Sequence, residues 1–127
     1  MKLDAVSVTS RDFAKTAQFY GLLGFTFPAF GPDDKHLEAV TKPGEVRLMI
    51  DDRGLMQSII GEAPIPSNHS SFAIKCMSSA EVDEAVKRIE AAGFGIVQAP
   101  WDAFWGQRYA IVVDPDGYKV DIFAALN

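Results

Sequence analysis

The sequence predicts an α+β fold in a single domain, residues 1–127, made of two βαβββ modules. A strand, a helix with a glycine stop and three further strands recur in the same order in both halves, strand-like alternation giving way to helical spacing and back. The second observation is size. A chain of 127 residues with 48% hydrophobic composition buries one usable core but is short for two independently folding domains, so the halves are modules of one fold.

Residues 3–8 alternate as the first strand. Asp12 begins a helix that carries Phe13, Ala17, Tyr20 and Leu23 at helical spacing, and Gly24 ends it. Residues 25–30, 37–41 and 46–50 read as three short strands, separated by segments containing Gly31-Pro32 and Pro43-Gly44. These elements make the first module, residues 1–51, and residues 52–69, rich in Pro, Ser and Asn toward their end, form the connector. The second module, residues 70–127, opens with a strand over 72–76. Ser79 is placed to cap a helix whose Val82, Ala85, Val86 and Ile89 form one apolar stripe before Gly93. Strands over 95–98, 109–113 and 119–123 complete it, with the Trp101-Asp102-Ala103-Phe104-Trp105-Gly106 segment as a long insertion between the first two. Asp114-Pro115-Asp116-Gly117 has turn chemistry, the proline fixing one backbone angle and the glycine permitting a positive one, so its carboxylates shape a hairpin and do not bind calcium.

Strand parity divides a helix-packed face from an open one. Val6 and Val8, Val46, Leu48 and Ile50, Phe72, Ile74 and Cys76, Tyr109, Ile111 and Val113, and Val120 and Ile122 form the core sets. The alternate positions include Ala5, Ser7, Arg47, Met49, Ser71, Ala73, Arg108, Ala110, Asp121 and Phe123. This mixture of small, aromatic and charged residues suits an organic ligand, and equally a solvated face or a dimer contact.

Composition excludes several functions. The formal net charge is −5 and Lys and Arg are dispersed, so no basic field is available for a nucleic acid. No apolar run approaches a membrane span and Met1 leads straight into the first strand without signal-peptide features, which makes a cytoplasmic protein the expectation. The lone Cys76 cannot form an intrachain disulfide and falls among core positions, where an inert thiol is expected. Gly93-Phe94-Gly95 lacks the spacing of a phosphate loop and serves as a helix stop.

Phe19-Tyr20 and Leu23-Gly24-Phe25 after the first helix, Ala92-Gly93-Phe94 after the second, and Trp105-Gly106 through Asp114-Pro115-Asp116-Gly117 together resemble the vicinal oxygen chelate superfamily. Within it they look like the glyoxalase and bleomycin-resistance branch, and the resemblance covers nearly the whole chain. It implies paired modules forming a curved mixed sheet around a cleft, commonly with a homodimer completing the binding sites. It also implies, for the enzyme members, metal ligands on four inward-facing strands. Those positions match Ala5, approximately Met49, Ser71 and Asp121 in this chain. Alanine cannot coordinate, a thioether is a poor ligand for a hard divalent ion, serine is uncommon in a stable site, and only Asp121 offers a carboxylate. His36 and His69 stand in no recognisable metal motif, and a ligand role for His69 requires a bulge to keep the following strand in register.

The expected function is therefore metal-independent binding or sequestration of a small, aromatic organic molecule, resembling bleomycin-resistance proteins in antibiotic resistance, with no cofactor and no catalytic residue assigned. Trp101, Phe104 and Trp105 are placed to stack on a planar ligand, Arg47 or Arg108 to receive an anionic group, Asp121 a basic one, and Met49 and Ser71 to line the cleft. The same aromatic residues can form a purely structural cluster, and the arginines can instead pair with Asp121 or lie exposed. Two alternatives stay open. One is a divergent glyoxalase-like lyase, isomerase or extradiol-type dioxygenase, which predicts a tightly held metal. The other is a protein-interaction module with Trp101 and Trp105 in the interface.

Overall fold

The computed structural model describes residues 1–126. The chain divides into two compact units, Met1–Ile65 and Pro66 onward. The first contains β1 (Ala5–Ser10), α1 (Phe13–Leu22), β2 (His36–Glu38), β3 (Arg47–Asp52) and α2 (Arg53–Ile60). The second contains β4 (Phe72–Lys75), α3 (Ser79–Ala91), β5 (Gly95–Ala103), β6 (Gln107–Val113) and β7 (Lys119–Ala125). The expected α+β repeat is present in βαβββ-like form.

In the first unit, β1 hands the chain to α1 through polar side chains. Ser10 and Thr16 share a buried hydroxyl contact of 2.6 Å, and the Asp12 carboxylate accepts from the Lys15 N–H at 3.3 Å, satisfying one of the amides that the first helical turn leaves free. The sheet order is β1-β3-β2, with β1 parallel and β2 antiparallel to β3. Val8, Leu48, Ile50 and Leu37 are buried with Phe19 and Tyr20, the last two meeting edge to face at 4.9 Å. Val46, expected in this core, is exposed and precedes β3.

One expectation for this unit is corrected, and one helix was not foreseen. Residues 25–30 are not a strand: Pro28 has no N–H to give a ladder, and the segment is tied instead by the Val40 N–H to the Thr26 carbonyl at 2.8 Å. The connector 52–69 is not wholly irregular, because Asp52 caps α2 by accepting from the Leu55 N–H at 2.9 Å, and Gly61 closes it in the left-handed region at φ +83°.

In the second unit the sheet order is β4-β7-β6-β5, with β4 parallel to β7 and the remaining pairs antiparallel. The cap of α3 is Ser78, one residue before the expected Ser79, and it accepts from the Glu81 N–H at 3.1 Å. Val82, Ala85, Val86 and Ile89 of α3 are buried, as are Ala110 and Val112 of β6 and Val120, Ile122 and Ala124 of β7. Asp114 builds the β6–β7 hairpin: its buried carboxylate accepts from the Asp116 and Tyr118 N–H groups, both at 2.9 Å, and Gly117 follows at φ +97°.

The tryptophan segment is not a long insertion. Trp101-Asp102-Ala103 continues β5, and Phe104, Trp105 and Gly106 make a tight turn in which the Gly106 N–H donates to the Ala103 carbonyl at 3.0 Å with Gly106 at φ +88°. β5 lies at the sheet's edge, and its pairing with β6 shifts register between Ile96 and Gln98 and again between Gln98 and Trp101. No helix among the described residues is long and apolar enough to cross a membrane.

Candidate functional site

Cross-strand register fixes which side chains share the face of the second sheet turned away from α3. Trp101 on β5 stands opposite Tyr109 on β6, which stands opposite Phe123 on β7; Asp121 is two residues from Phe123 and therefore on the same face. The expected faces of β6 are thus reversed. Ala110 and Val112, both fully buried, lie under α3 opposite Ile122 and Val120, whereas Tyr109, Ile111 and Val113 share the other face with Phe123, Asp121 and Lys119.

The aromatic rings form a connected group. Trp101 and Trp105 meet edge to face at 5.9 Å, Trp101 and Tyr109 at 5.5 Å, Trp105 and Tyr109 at 5.3 Å, and Phe104 and Trp105 at 5.1 Å. Tyr109 and Phe123 are close to parallel, 21° apart with centroids at 5.9 Å. The turn holds Trp105 half exposed at 49% and Phe104 almost wholly exposed at 97%. The Trp105 indole N–H donates to Gln107 Oε1 at 2.9 Å, which fixes the half-exposed ring.

Asp121 is clamped by neutral groups. The Ser70 hydroxyl donates to one carboxylate oxygen and the Tyr109 hydroxyl to the other. Partial burial, and then the bond to Asp121, push the Tyr109 phenol up to about 12. Among the described residues Asp121 has no ion-pair partner, in contrast to both arginines of the expected site. Ser71, on the residue before β4, donates its backbone N–H to the Lys119 carbonyl at 2.8 Å.

Arg108 projects to the α3 side. Its Nε donates to Asp83 on α3 at 2.9 Å and its Nη1 to Asp102 at 3.1 Å, and the bond to Asp83 is the main cause of its raised pKa. It borders a concavity of about 290 Å³ with Asp83, Val86, Ile96, Ala99 and Pro100, away from the aromatic face.

In the first unit, Arg47 and Met49 lie on the sheet face opposite the core, with Ala5 and Ser7 beside them in register. Arg47 donates to Asp4 through Nη2 at 2.7 Å and to Glu38 through Nη1 at 2.6 Å. His36 bridges Asp51 at 2.7 Å and Glu38 at 3.1 Å; the bond to Asp51 first, then that to Glu38, raises its pKa. The His69 ring instead contacts its neighbour's carbonyl, that of Ser70, at 3.0 Å. Among the described residues no three His, Cys, Asp or Glu side chains are grouped so as to hold a metal ion. Cys76 is partly buried, and desolvation followed by the nearby Glu81 charge pushes its thiol up to about 11, which suppresses the reactive thiolate.

The sequence named Trp101, Phe104, Trp105, Ser71 and Asp121 as candidates; Tyr109, expected in the core, lies on the face of Asp121, and Ser70, which bonds Asp121, was overlooked. The missed signal was the spacing of Asp121 and Phe123: antiparallel pairing through a hairpin puts an aromatic partner opposite Phe123, and Tyr109 is the β6 residue at that distance from the turn.

A duplicated βαβββ-like chain of this order, with an open sheet face carrying a strand-borne carboxylate, defines the glyoxalase-like class. The sequence model of the Glyoxalase/Bleomycin resistance protein/Dioxygenase superfamily matches residues 2–122, and the chain belongs to that superfamily. It is similar in structure to a hypothetical protein from S. aureus, with a TM-score of 0.80, 22% identity and coverage of 98% of this chain and 95% of that one. A glyoxalase-related enzyme from Fulvimarina pelagi matches with a TM-score of 0.81, 21% identity and coverage of 97% and 87%. Among curated relatives, uncharacterized proteins of Mycobacterium bovis and Mycobacterium tuberculosis are 29% identical over 89 residues, 69% of this chain. The match spans little more than half of their length, 58% and 52%.

The divalent ion that the resemblance implies for enzyme members does not fit this donor set. Ala5 has no donor, Met49 offers only a thioether, Ser71 a neutral hydroxyl, and Asp121 already accepts a hydroxyl on each oxygen.

Proposed function

We propose that this chain binds and sequesters a small planar organic molecule without a metal and without turning it over, the ligand lying against the aromatic face of the second unit. The carrying observation is the ring group of Trp101, Trp105, Tyr109 and Phe123 beside Asp121 on one open sheet face. A half-exposed tryptophan with its N–H satisfied offers a π-face at little desolvation cost, and stacking on it is rewarded by apolar burial. Ser71 and Phe104 flank this surface. Arg108 is left out of the ligand wall because Asp83 and Asp102 already occupy its guanidinium, and Arg47 because Asp4 and Glu38 do the same. Antibiotic sequestration in the cytoplasm is the biological setting this reading favours, with no nucleic acid partner.

The extreme exposure of Phe104 favours a second use of the same turn, contact with a protein partner or with a second copy in a homodimer. The two readings separate on one experiment. Both tryptophans of the chain lie in the proposed site, so intrinsic fluorescence reports on it directly. Titration with a panel of planar heteroaromatic compounds is expected to quench it saturably, Trp105→Ala to weaken the best ligand at least about tenfold, and the ligand to be recovered unchanged after prolonged incubation. Unchanged affinity in both Trp101→Ala and Trp105→Ala would sink the aromatic-wall reading. Recovery of a converted product would establish the enzyme alternative instead. Phe104→Ala is expected to alter the sedimentation of the protein if the turn serves a dimer and leave it unaltered if it serves the ligand alone.

A further inference from the structure

We infer that the ligand is an organic cation, a planar or aromatic molecule bearing an ammonium or amidinium group that is received by Asp121. The inference rests on the reading of the aromatic face as a ligand wall and specifies the charge that wall selects.

Three observations carry it. First, Asp121 has no charged partner among the described residues and keeps half its acceptor capacity. Its two partners, Ser70 and Tyr109, are neutral hydroxyls, one on each oxygen, whereas a carboxylate oxygen accepts about two hydrogen bonds. A guanidinium or ammonium partner would have consumed the charge, and among the described residues Asp121 has none. Second, the neighbouring cations are directed elsewhere. Arg108 lies on the α3 side with Asp83 and Asp102, and the Lys119 ammonium donates to the Asn68 carbonyl at 2.9 Å. Lys75 shares the face but stands in register with Phe123, and exposed Ala73 stands in register with Asp121, so the space flanking the carboxylate along β4 is lined by a methyl group. Third, the surface beside Asp121 is a set of π-faces and edges from Trp101, Trp105, Tyr109 and Phe123, which attract a cation and repel an anion placed over their faces. An anionic ligand would meet an uncompensated carboxylate and four electron-rich rings.

The hydroxyl clamp orients the carboxylate. Held on one side by Ser70 from the segment before β4 and on the other by Tyr109 from β6, Asp121 presents its remaining lone pairs in a fixed direction, as a charge-assisted hydrogen bond to N–H requires.

The test uses three probes of one shape on the full chain: 2-naphthylmethylammonium, 2-naphthylmethanol and 2-naphthoate, titrated at near-neutral pH and low salt by calorimetry. The expected result is that the ammonium binds at least about tenfold more tightly than the alcohol, that the carboxylate binds most weakly, and that Asp121→Asn brings ammonium and alcohol to within about twofold. Equal binding of the three, or tightest binding of the carboxylate, overturns the charge assignment; the ligand wall itself then still stands if the alcohol binds and Trp105→Ala weakens it. Failure of every probe to bind at millimolar concentration overturns both. The ranking on the unaltered protein decides the matter should Asp121→Asn fail to fold.

Discussion

Tyr109 concentrates the chemistry of the second unit in one side chain. Its ring is the middle of a cross-strand aromatic row, and its hydroxyl is one of the two donors that hold Asp121. Because the folded phenol is raised to about 12, above the ordinary tyrosine value of about 10, the folded state retains the proton more firmly than the unfolded chain. The stability this contributes is fully present below about pH 10 and is lost as the pH rises toward about 12. Absorbance titration at 295 nm is expected to show one tyrosine of the folded chain ionising late, and Asp121→Asn to move that titration part of the way back, since burial, the larger cause, remains. A Tyr109→Phe protein in which the late ionisation persists would assign it to another tyrosine and remove the basis for the clamp.

At the scale of the elements, β6 teaches why parity alone misled. Tyr109, Ile111 and Val113 alternate with Arg108, Ala110 and Val112, and parity alone does not say which of the two sets faces the helix. The order is the reverse of the expected one because α3 presents small Ala85 with Val82, Val86 and Ile89, and the sheet surface beneath them is completed by Val120, Ile122 and Ala124 with a small Ala110 between. Ala110→Leu is therefore expected to cost about 1–3 kcal/mol in urea denaturation through overpacking, whereas Ile111→Leu on the other face is expected to cost under about 1 kcal/mol. The opposite ranking would restore the original face assignment. α1 and α3, with their caps, apolar stripes and glycine stops, were legible in the sequence to within a residue, because capping and periodicity are local, whereas α2 (Arg53–Ile60) lay unforeseen in the connector. The faces of β6 and the continuation of β5 through Trp101 were not, because they depend on partners that only pairing supplies. The same holds for Ser70: a serine in a polar connector carries no local sign that it will meet Asp121, 51 residues away.

For the whole molecule, family membership and the residues that do the work have separated. The chain carries the superfamily's repeat through residues 2–122, while at the four positions that enzyme members use for a metal it retains one carboxylate, already held by two hydroxyls. Fold likeness at 21–22% identity transfers architecture and leaves activity to the site. Addition of Zn²⁺, Ni²⁺ or Mn²⁺ in tenfold excess, or of a chelator, is expected to leave Tm unchanged within about 1 °C. A resident metal at about a hundred times its Kd would instead add about 2.7 kcal/mol of stability, which is several degrees for a chain of this size. A stabilisation of that order would overturn the metal-independent reading and return His36, His69 and Asp121 to consideration as ligands.

The broken register of β5 has a consequence between molecules. A nine-residue strand at the edge of a sheet offers a row of unpaired backbone groups to any other chain that approaches extended, and this one carries Ile96, Val97 and Trp101 along it. Two register shifts, with Pro100 withholding an N–H within the second, interrupt the hydrogen-bonding row of that edge. The irregularity that leads β5 into the aromatic turn thereby also shortens the unbroken row of backbone groups that a second copy, approaching edge to edge, could pair with.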